Sequence, residues 1–367
     1  MKTLVLTTSF GDNAPGKVYS ALVKKLRENE ASEIDVITTA TNLESDNSIQ
    51  LFKREKIHPR IRKLSVGCLG KDIFDYKLSK RILKKIDLNQ YDRVISLISL
   101  HNFLPLYLGH QIKRNSSKIE WIVYSVDAIP PPKGWGTTEN YRKGLIKMMN
   151  KFLYIADSLY FSNEVMLNYQ LNLLDYKFEK RTGYYYTLPQ TLEFVTYEKE
   201  ENTHFNFLYT GGIYEARKPD ELIKAFYDFT KIHSSSKFYF VGTNPKTINL
   251  DKYDDAFKAK VIFVGYTNDL KSYYKIANVL IDIDAAFDND VFVSSKFFNY
   301  LMVDRSILCI TGNNSPTSLI VKKHKIPDVF VVPHESDSIL KAMLRIYDNP
   351  KKVERSGILN DEFRKIF

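Results

Sequence analysis

Short β-branched and apolar runs alternate along this chain with stretches whose apolar residues recur at helical spacing. The run 3–8 (TLVLTT) predicts a strand that ends in the polar turn 9–15. Residues 17–28 follow as a helix, with Val18, Leu22, Val23 and Leu26 on one face, and 34–38 is the next short apolar run. Strand, loop, helix, strand is the order of a parallel sheet with crossover helices. The pattern continues with a basic amphipathic helix over 76–86, a strand over 93–100, a helix over 103–114 and a strand over 120–126. Three prolines and two glycines then force a loop over 127–137. A basic helix over 141–156 and a short strand over 158–161 follow.

Residues 187–202 are polar and acidic without clear period, and the domain boundary is expected there. The alternation then restarts. Strands are predicted over 205–210, 237–241, 261–264, 279–283, 306–310 and 330–332, with helices over 220–231, 269–277, 295–302 and 336–348. The expected fold is therefore α/β, with two Rossmann-like doubly wound domains facing across a cleft: 1–190 and 191–350, with a helix over 351–367 packing back on the first. Ligands in such sheets sit beyond the carboxyl ends of the strands. The loops that matter are 9–17, 127–137, 211–219, 242–245, 265–268 and 284–296.

Composition narrows the class. The 367 residues are 44% hydrophobic and 26% charged, which is ordinary for globular domains. The longest apolar runs fall well short of the roughly 18 residues of a membrane span, and the N-terminus does not read as a signal peptide. Cys68 and Cys309 are the only cysteines, so neither a disulfide framework nor a cysteine metal site is supported. A cytoplasmic protein is expected, soluble or peripheral on the inner membrane face. Charge is uneven: residues 1–190 hold 29 Lys and Arg against 19 acidic residues, whereas 191–367 hold 24 of each. A basic half faces an anionic membrane, an acidic substrate, nucleic acid, or only solvent.

Several segments carry chemistry. Between a strand and a helix lies YTGGIYEARKP (209–219). Gly211 and Gly212 let backbone approach a ligand, and Arg217 and Lys218 suit an anion, unless this is a plain turn with solvated cations. Ser294, Ser295 and Lys296 precede or open a helix, and would meet a diphosphate or simply cap it. Asp127 ends a strand before the proline loop, where a carboxylate accepts sugar hydroxyls, acts as a base, or stabilises the loop. His101 holds a similar position but a lone histidine is more often structural. Trp135 and Tyr184–Tyr186 are stacking platforms or core. No P-loop, zinc-protease, serine-hydrolase or Cys-x-x-Cys motif occurs.

Taken in order, the second half resembles the donor domain of glycosyltransferases with the two-Rossmann GT-B fold, of the family 4 type that builds bacterial surface polysaccharides. The carrying segments are FLYTGGIYEARKPDELIKAF (207–226), Phe240–Gly242, VIFVGYTNDLKSYYKIANVLIDI (261–283) and SSKFFNYLMVDRSILCI (294–310). Together they cover about 100 residues in the family's order. The first half agrees more loosely through FGDNAPGKVYSALVKKL (10–26) and the course from YDRVISL (91–97) to WIVYSVDAIP (121–130).

The resemblance implies transfer of a sugar from a nucleotide-diphosphate donor, UDP- or GDP-linked, to an acceptor hydroxyl, with retention at the anomeric carbon. It implies no metal and no cofactor, because basic residues hold the leaving diphosphate. By position, Arg217 neutralises that diphosphate, Ser295 and Lys296 meet phosphate and sugar, and Gly265 and Tyr266 border the base. Gly11, Asn13 and Gly16 line the N-terminal loop, and Asp127 falls at the family's aspartate. The family's glutamate pair is replaced by Val291 and Asn299. Asn299 still offers a hydrogen bond, and Asp288 or Asp290 stands close enough to substitute. The basic half would hold a glycan or lipid-linked acceptor at an anionic membrane, through Lys77, Lys80, Arg81, Lys84 and Lys85, or through Arg142, Lys143, Lys147 and Lys151. Rival readings are a nucleotide-sugar 2-epimerase, a non-catalytic binding relic and a nucleic-acid binder. No motif supports the last.

Overall fold

The computed structural model describes residues 1–11, 14–29, 33–39, 48–190, 193–198, 204–213, 216–350, 353–357, 363 and 365–366. The chain divides into two compact units, Met1–Gln190 with Asp361–Phe367, and Thr191–Asn360. Each is a doubly wound parallel sheet flanked by helices, as the alternation of strand and helix predicts.

Seven strands form the first unit: β1 (Lys2–Leu6), β2 (Glu33–Thr38), β3 (Ile49–Leu51), β4 (Arg93–Ile98), β5 (Glu120–Ser125), β6 (Ser158–Phe161) and β7 (Arg181–Tyr184). Their order is β3-β2-β1-β4-β5-β6-β7. The order reverses between β1 and β4, which pair directly from Thr3 opposite Arg93 to Leu6 opposite Ser96. β4 is buried along its whole length because both faces are covered, which is why it reads as a continuous apolar run.

Two helices of this unit escape the hydrophobic pattern. Pro59–Leu69 begins with the His58 side chain accepting from Arg60 N–H and Pro at its first position, and ends at Gly70 in the left-handed conformation. It crosses the helix Glu139–Leu153 closely: a Cβ on Gly144 would collide with the Val66 carbonyl and come within 2.7 Å of Gly67 Cα. Glu164–Leu171 is capped by Asn163, whose side chain accepts from Met166 N–H.

The second unit has six strands: β8 (Asn206–Thr210), β9 (Lys237–Val241), β10 (Val261–Val264), β11 (Val279–Ile283), β12 (Ser306–Ile310) and β13 (Val329–Val332). Their order is β10-β9-β8-β11-β12-β13, so the reversal falls between β8 and β11. Phe207, Phe226, Phe229 and Phe238 fill the core on one face, with ring centroids 5.2 to 5.9 Å apart. The helix Pro316–His324, with Ser315 as cap and Pro at its start, is another element the pattern does not predict.

The helix expected over 351–367 is not there in residues 353–357, which run as irregular chain and a turn. The reason is Arg355. Its guanidinium is fully buried and donates to the carbonyls of Pro327, Val303, Arg305, Tyr300 and Asp328, at 2.6 to 3.5 Å. Reaching those carbonyls takes the segment into the protein rather than along a helix. Further on, Phe363 is buried against Tyr186, their rings stacked 5.0 Å apart.

Candidate functional site

The second unit concentrates charge at the carboxyl ends of β8 and β11, where its strand order reverses. β8 leaves the sheet at Gly211, which adopts φ +93°, a conformation that side chains other than glycine's rarely take. Its N–H donates to the Val241 carbonyl at 2.7 Å, and Thr243 Oγ1 donates to the Gly211 carbonyl at 2.6 Å. The Lys296 side chain lies across this turn. A Cβ on Gly211 would stand 3.0 Å from Lys296 Cε. The Lys296 ammonium sits 5.1 Å from the centroid of the Tyr209 ring, a cation–π contact.

Lys296 is placed by its own helix, Ser295–Leu301. Ser294 caps this helix, accepting from Lys296 N–H at 3.3 Å, so its buried hydroxyl is committed to the cap. One turn on, the Tyr300 hydroxyl accepts from Thr210 N–H at 3.0 Å and bonds Thr210 Oγ1 at 2.9 Å. That pair ties the helix to the end of β8.

Arg217 is buried, and two carboxylates that the sequence pattern does not single out lie close enough to it and to Lys296 to act on their charge. Asp282 lies on β11 and Asp284 just beyond it, both almost fully buried. Asp284 accepts from Thr317 Oγ1 at 2.7 Å. Neither oxygen of Asp282 has a hydrogen-bond partner among the described residues. Burial pushes the Asp284 carboxyl up to about 7, helped by Asp282 and opposed by Arg217 and the Thr317 bond. Burial pulls Lys296 down to about 7, with Arg217 repelling its charge while Asp282 and Asp284 favour it. Burial opposes charge on Arg217 too, but Tyr209, Asp284 and Asp282 outweigh it and hold it above the usual guanidinium range. Two carboxylates and Arg217 taken out of water beside a half-buried lysine, with Asp282 left without a hydrogen-bond partner among the described residues, are the kind of arrangement that marks a binding or catalytic site.

The other expected donor residues spread out from this cluster. Gly212 accepts from the Tyr209 hydroxyl at 2.8 Å. Lys218 is exposed, while Ser295 and Asn299 are half-buried. Gly265 and Tyr266 follow the edge strand β10. Tyr266 is 74% exposed, with its hydroxyl donating to Asn268 Oδ1 at 2.8 Å. Asp290 is buried and accepts from the N–H groups of Val291 and Phe292, so it serves its own turn. Asp288 is exposed and Val291 is in the core. Tyr214 and Glu215 lie outside the described residues.

In the first unit, Asp127 follows β5 and accepts from Leu100 N–H at 2.8 Å through Oδ2, joining the ends of β4 and β5. Burial raises its carboxyl above the usual range and the Leu100 bond lowers it. His101, at φ +68°, stacks on Tyr141 and bonds its hydroxyl at 2.7 Å. Burial of the ring, with Lys63 and Arg54 adding repulsion, pulls His101 down to about 4. Beside it, Arg54 grips the buried Asp75 through two bonds of 2.9 and 2.7 Å and donates to the His101 carbonyl at 3.1 Å. Arg62 joins Asp75 to Asp72, at 2.8 Å each. Gly11 has φ +84°. Gly16 is buried in the first turn of the helix Ala14–Asn29, not in the loop before it, because that helix starts earlier than its apolar spacing suggests. Asn13 lies outside the described residues. Tyr184 belongs to β7 and Tyr186 to the core, so this tyrosine run is structural.

No protein-family model matches the sequence, and no curated protein matches it. Solved structures match in fold over almost the whole chain. The trehalose-6-phosphate phosphatase N-terminal domain of Candida albicans is 12% identical with a TM-score of 0.66, covering 99% of this chain and 92% of the other. The lipopolysaccharide outer core galactosyltransferase WaaB is 13% identical with a TM-score of 0.61, covering 99% and 95%. UDP-GlcNAc 2-epimerase from Neisseria meningitidis, solved with UDP-GlcNAc, is 11% identical with a TM-score of 0.56, covering 99% and 95%. The two-domain Rossmann-like fold of GT-B glycosyltransferases is thus the fold of this chain.

Proposed function

We propose that this protein is a glycosyltransferase that moves a sugar from a nucleotide-diphosphate sugar to an acceptor hydroxyl on a lipid-linked or growing surface glycan, with retention at the anomeric carbon. One observation carries the reading: buried Arg217 and half-buried Lys296 come together where β8 and β11 leave the sheet, beside a glycine turn that admits a ligand's backbone-close approach. Bond breaking at the anomeric carbon places negative charge on the departing diphosphate. Preformed cations in a water-poor site stabilise that charge more in the transition state than in the ground state, an effect worth about 3–4 kcal/mol per well-placed donor. Arg217 supplies a permanent charge. Lys296, held near 7, gains its full charge as the diphosphate arrives. No metal enters this scheme. Ser295 and Asn299 contact phosphate or ribose, and Gly265 and Tyr266 border the base. Asp127 meets the sugar or acceptor hydroxyls through its carboxylate, and the basic first unit meets the lipid-linked acceptor at an anionic membrane. Supporting this, among the described residues no helix is long and apolar enough to cross a membrane, so lipid contact would be peripheral.

The test is thermal stabilisation against UDP, GDP, ADP and dTDP, with CMP and AMP as controls, followed by transfer assays with the sugars of the base that binds. A shift with one diphosphate is expected, and its loss in Arg217→Ala. Full transfer activity in Arg217→Ala would overturn the assignment.

The buried carboxylates Asp282 and Asp284 favour a second reading, since a nucleotide-sugar 2-epimerase needs acid–base groups beside its sugar and no acceptor. Conversion of the donor to its 2-epimer without acceptor would establish that reading in place of transfer. Nucleotide binding without either turnover would leave a binding relic.

A further inference from the structure

The helix Pro59–Leu69 turns its apolar stripe outward. Ile61, Leu64 and Cys68 recur at three- and four-residue spacing. Ile61 is 52% and Leu64 66% exposed, and Leu69 at the helix end is 49% exposed. Such a stripe normally faces a core. Here the inward face is Arg62, Ser65 and Val66, held by the Asp72 and Asp75 ion pairs and by contact with Gly144. The stripe is therefore left over after the helix has been anchored.

Cations surround it. Arg60 and Lys63 are exposed on the same helix. At its far end the Lys147 stem packs over Gly70, where a Cβ would stand 2.9 Å from Lys147 Cδ. Lys147 stands in a row with Lys143 and Lys151, one turn apart, and the three line an open hollow of about 500 Å³ with Ile146, Asn150 and Asp175. Large exposed side chains ringed by positive charge are the pattern of a surface that lies on anionic lipid, with the apolar residues among the acyl chains and the lysines at the headgroup phosphates. The neighbouring helix Ile73–Leu83 fits this less well. Arg81 pairs with Glu55 at 3.2 Å, and Lys80 covers Tyr76 at 4.9 Å.

We infer that the helix Pro59–Leu69 and the row Lys143, Lys147 and Lys151 form one docking face for an anionic phospholipid bilayer. This rests on the membrane part of the proposed function and names the surface that carries it. The arrangement suits an enzyme whose acceptor is confined to a membrane plane, because it fixes the first unit at the headgroups without a spanning segment.

Vesicle cosedimentation of the full chain tests it, using phosphatidylcholine alone and phosphatidylcholine with an equal amount of phosphatidylglycerol. Binding to the anionic vesicles only, weakened by salt, is expected. Replacing the three lysines by serine should weaken partitioning about a hundredfold, roughly fivefold for each cation. Leu64→Asp should weaken it at least tenfold, and its exposed position keeps the fold intact. Melting shifts with nucleoside diphosphate should be the same in all variants, so loss of vesicle binding with donor binding intact separates this inference from the transfer reading. No binding to anionic vesicles would overturn it, as would binding that both variants retain. A wild-type dimer that Leu64→Asp converts to monomer, without vesicle binding, would assign the stripe to a second copy of this chain instead.

Discussion

Donor binding should take up protons, and the cluster at β8 and β11 sets how many. Lys296 is pulled down and Asp284 is pushed up, both to about 7. The signs add. Above that pH Lys296 is neutral and Asp284 ionised; below it Lys296 is charged and Asp284 neutral. The cluster thus loses about two units of positive charge as pH rises through 7, and its attraction for a diphosphate falls. If a bound diphosphate keeps both groups protonated, each makes the dissociation constant rise about tenfold between roughly pH 6 and pH 8 by linkage, and both together about a hundredfold. The measurement is calorimetric titration with the nucleotide sugar, because the terminal phosphate of a free diphosphate itself titrates near 6. Repeating it in buffers of different ionisation enthalpy counts the protons taken up, expected to be about one at pH 7 and close to two at about pH 8. Lys296→Met and Asp284→Asn should each remove about half of the logarithmic slope. Affinity constant within about twofold over that range, or a full slope surviving in both variants, would refute the argument that these two groups titrate against the ligand.

Three further outcomes follow from packing. Arg355→Ala removes the buried guanidinium from five carbonyls, of which those of Tyr300, Val303 and Asp328 keep backbone donors, and should cost about 2–4 kcal/mol of stability in urea unfolding. Gly144→Ala drives a Cβ into the Val66 carbonyl and Gly67 Cα, and should lower stability by about 1–3 kcal/mol, read as a lower melting temperature. Gly211→Ala strains a φ of +93° and displaces Lys296. Loss of the diphosphate melting shift with only about 1–2 kcal/mol of destabilisation is the expected result, and an unchanged shift would show that Lys296 does not need this turn.

Much of the fold is legible in the sequence because buried parallel strands are nearly continuous apolar runs, as in RVISLI on β4 and SILCI on β12. The helix Pro59–Leu69 is hidden for the opposite reason: Ile61, Leu64 and Leu69 face outward while an ion-paired arginine faces inward beside Val66. Its cap signals, His58, Pro59 and Gly70, are the cue that remains. The glycine turn at 211 and the cations Arg217 and Lys296 are readable as a strand-end pattern. Asp282 and Asp284 are not. Alternation of Ile281, Asp282, Ile283 and Asp284 reads as a half-solvated strand, whereas β11 lies between β8 and β12 with both faces covered. Only the sheet order shows that these carboxylates are buried beside the cations.

The stacking of Phe363 on Tyr186 has a consequence for synthesis. The first unit is not continuous in the chain: 170 residues of the second separate Gln190 from Asp361. On a ribosome adding about 5–20 residues each second, the first unit waits roughly ten to thirty seconds for the piece that covers Tyr186. During that interval its sheet can form while one aromatic patch stays open to water and to chaperones. The order of manufacture therefore makes the second unit the first to be complete.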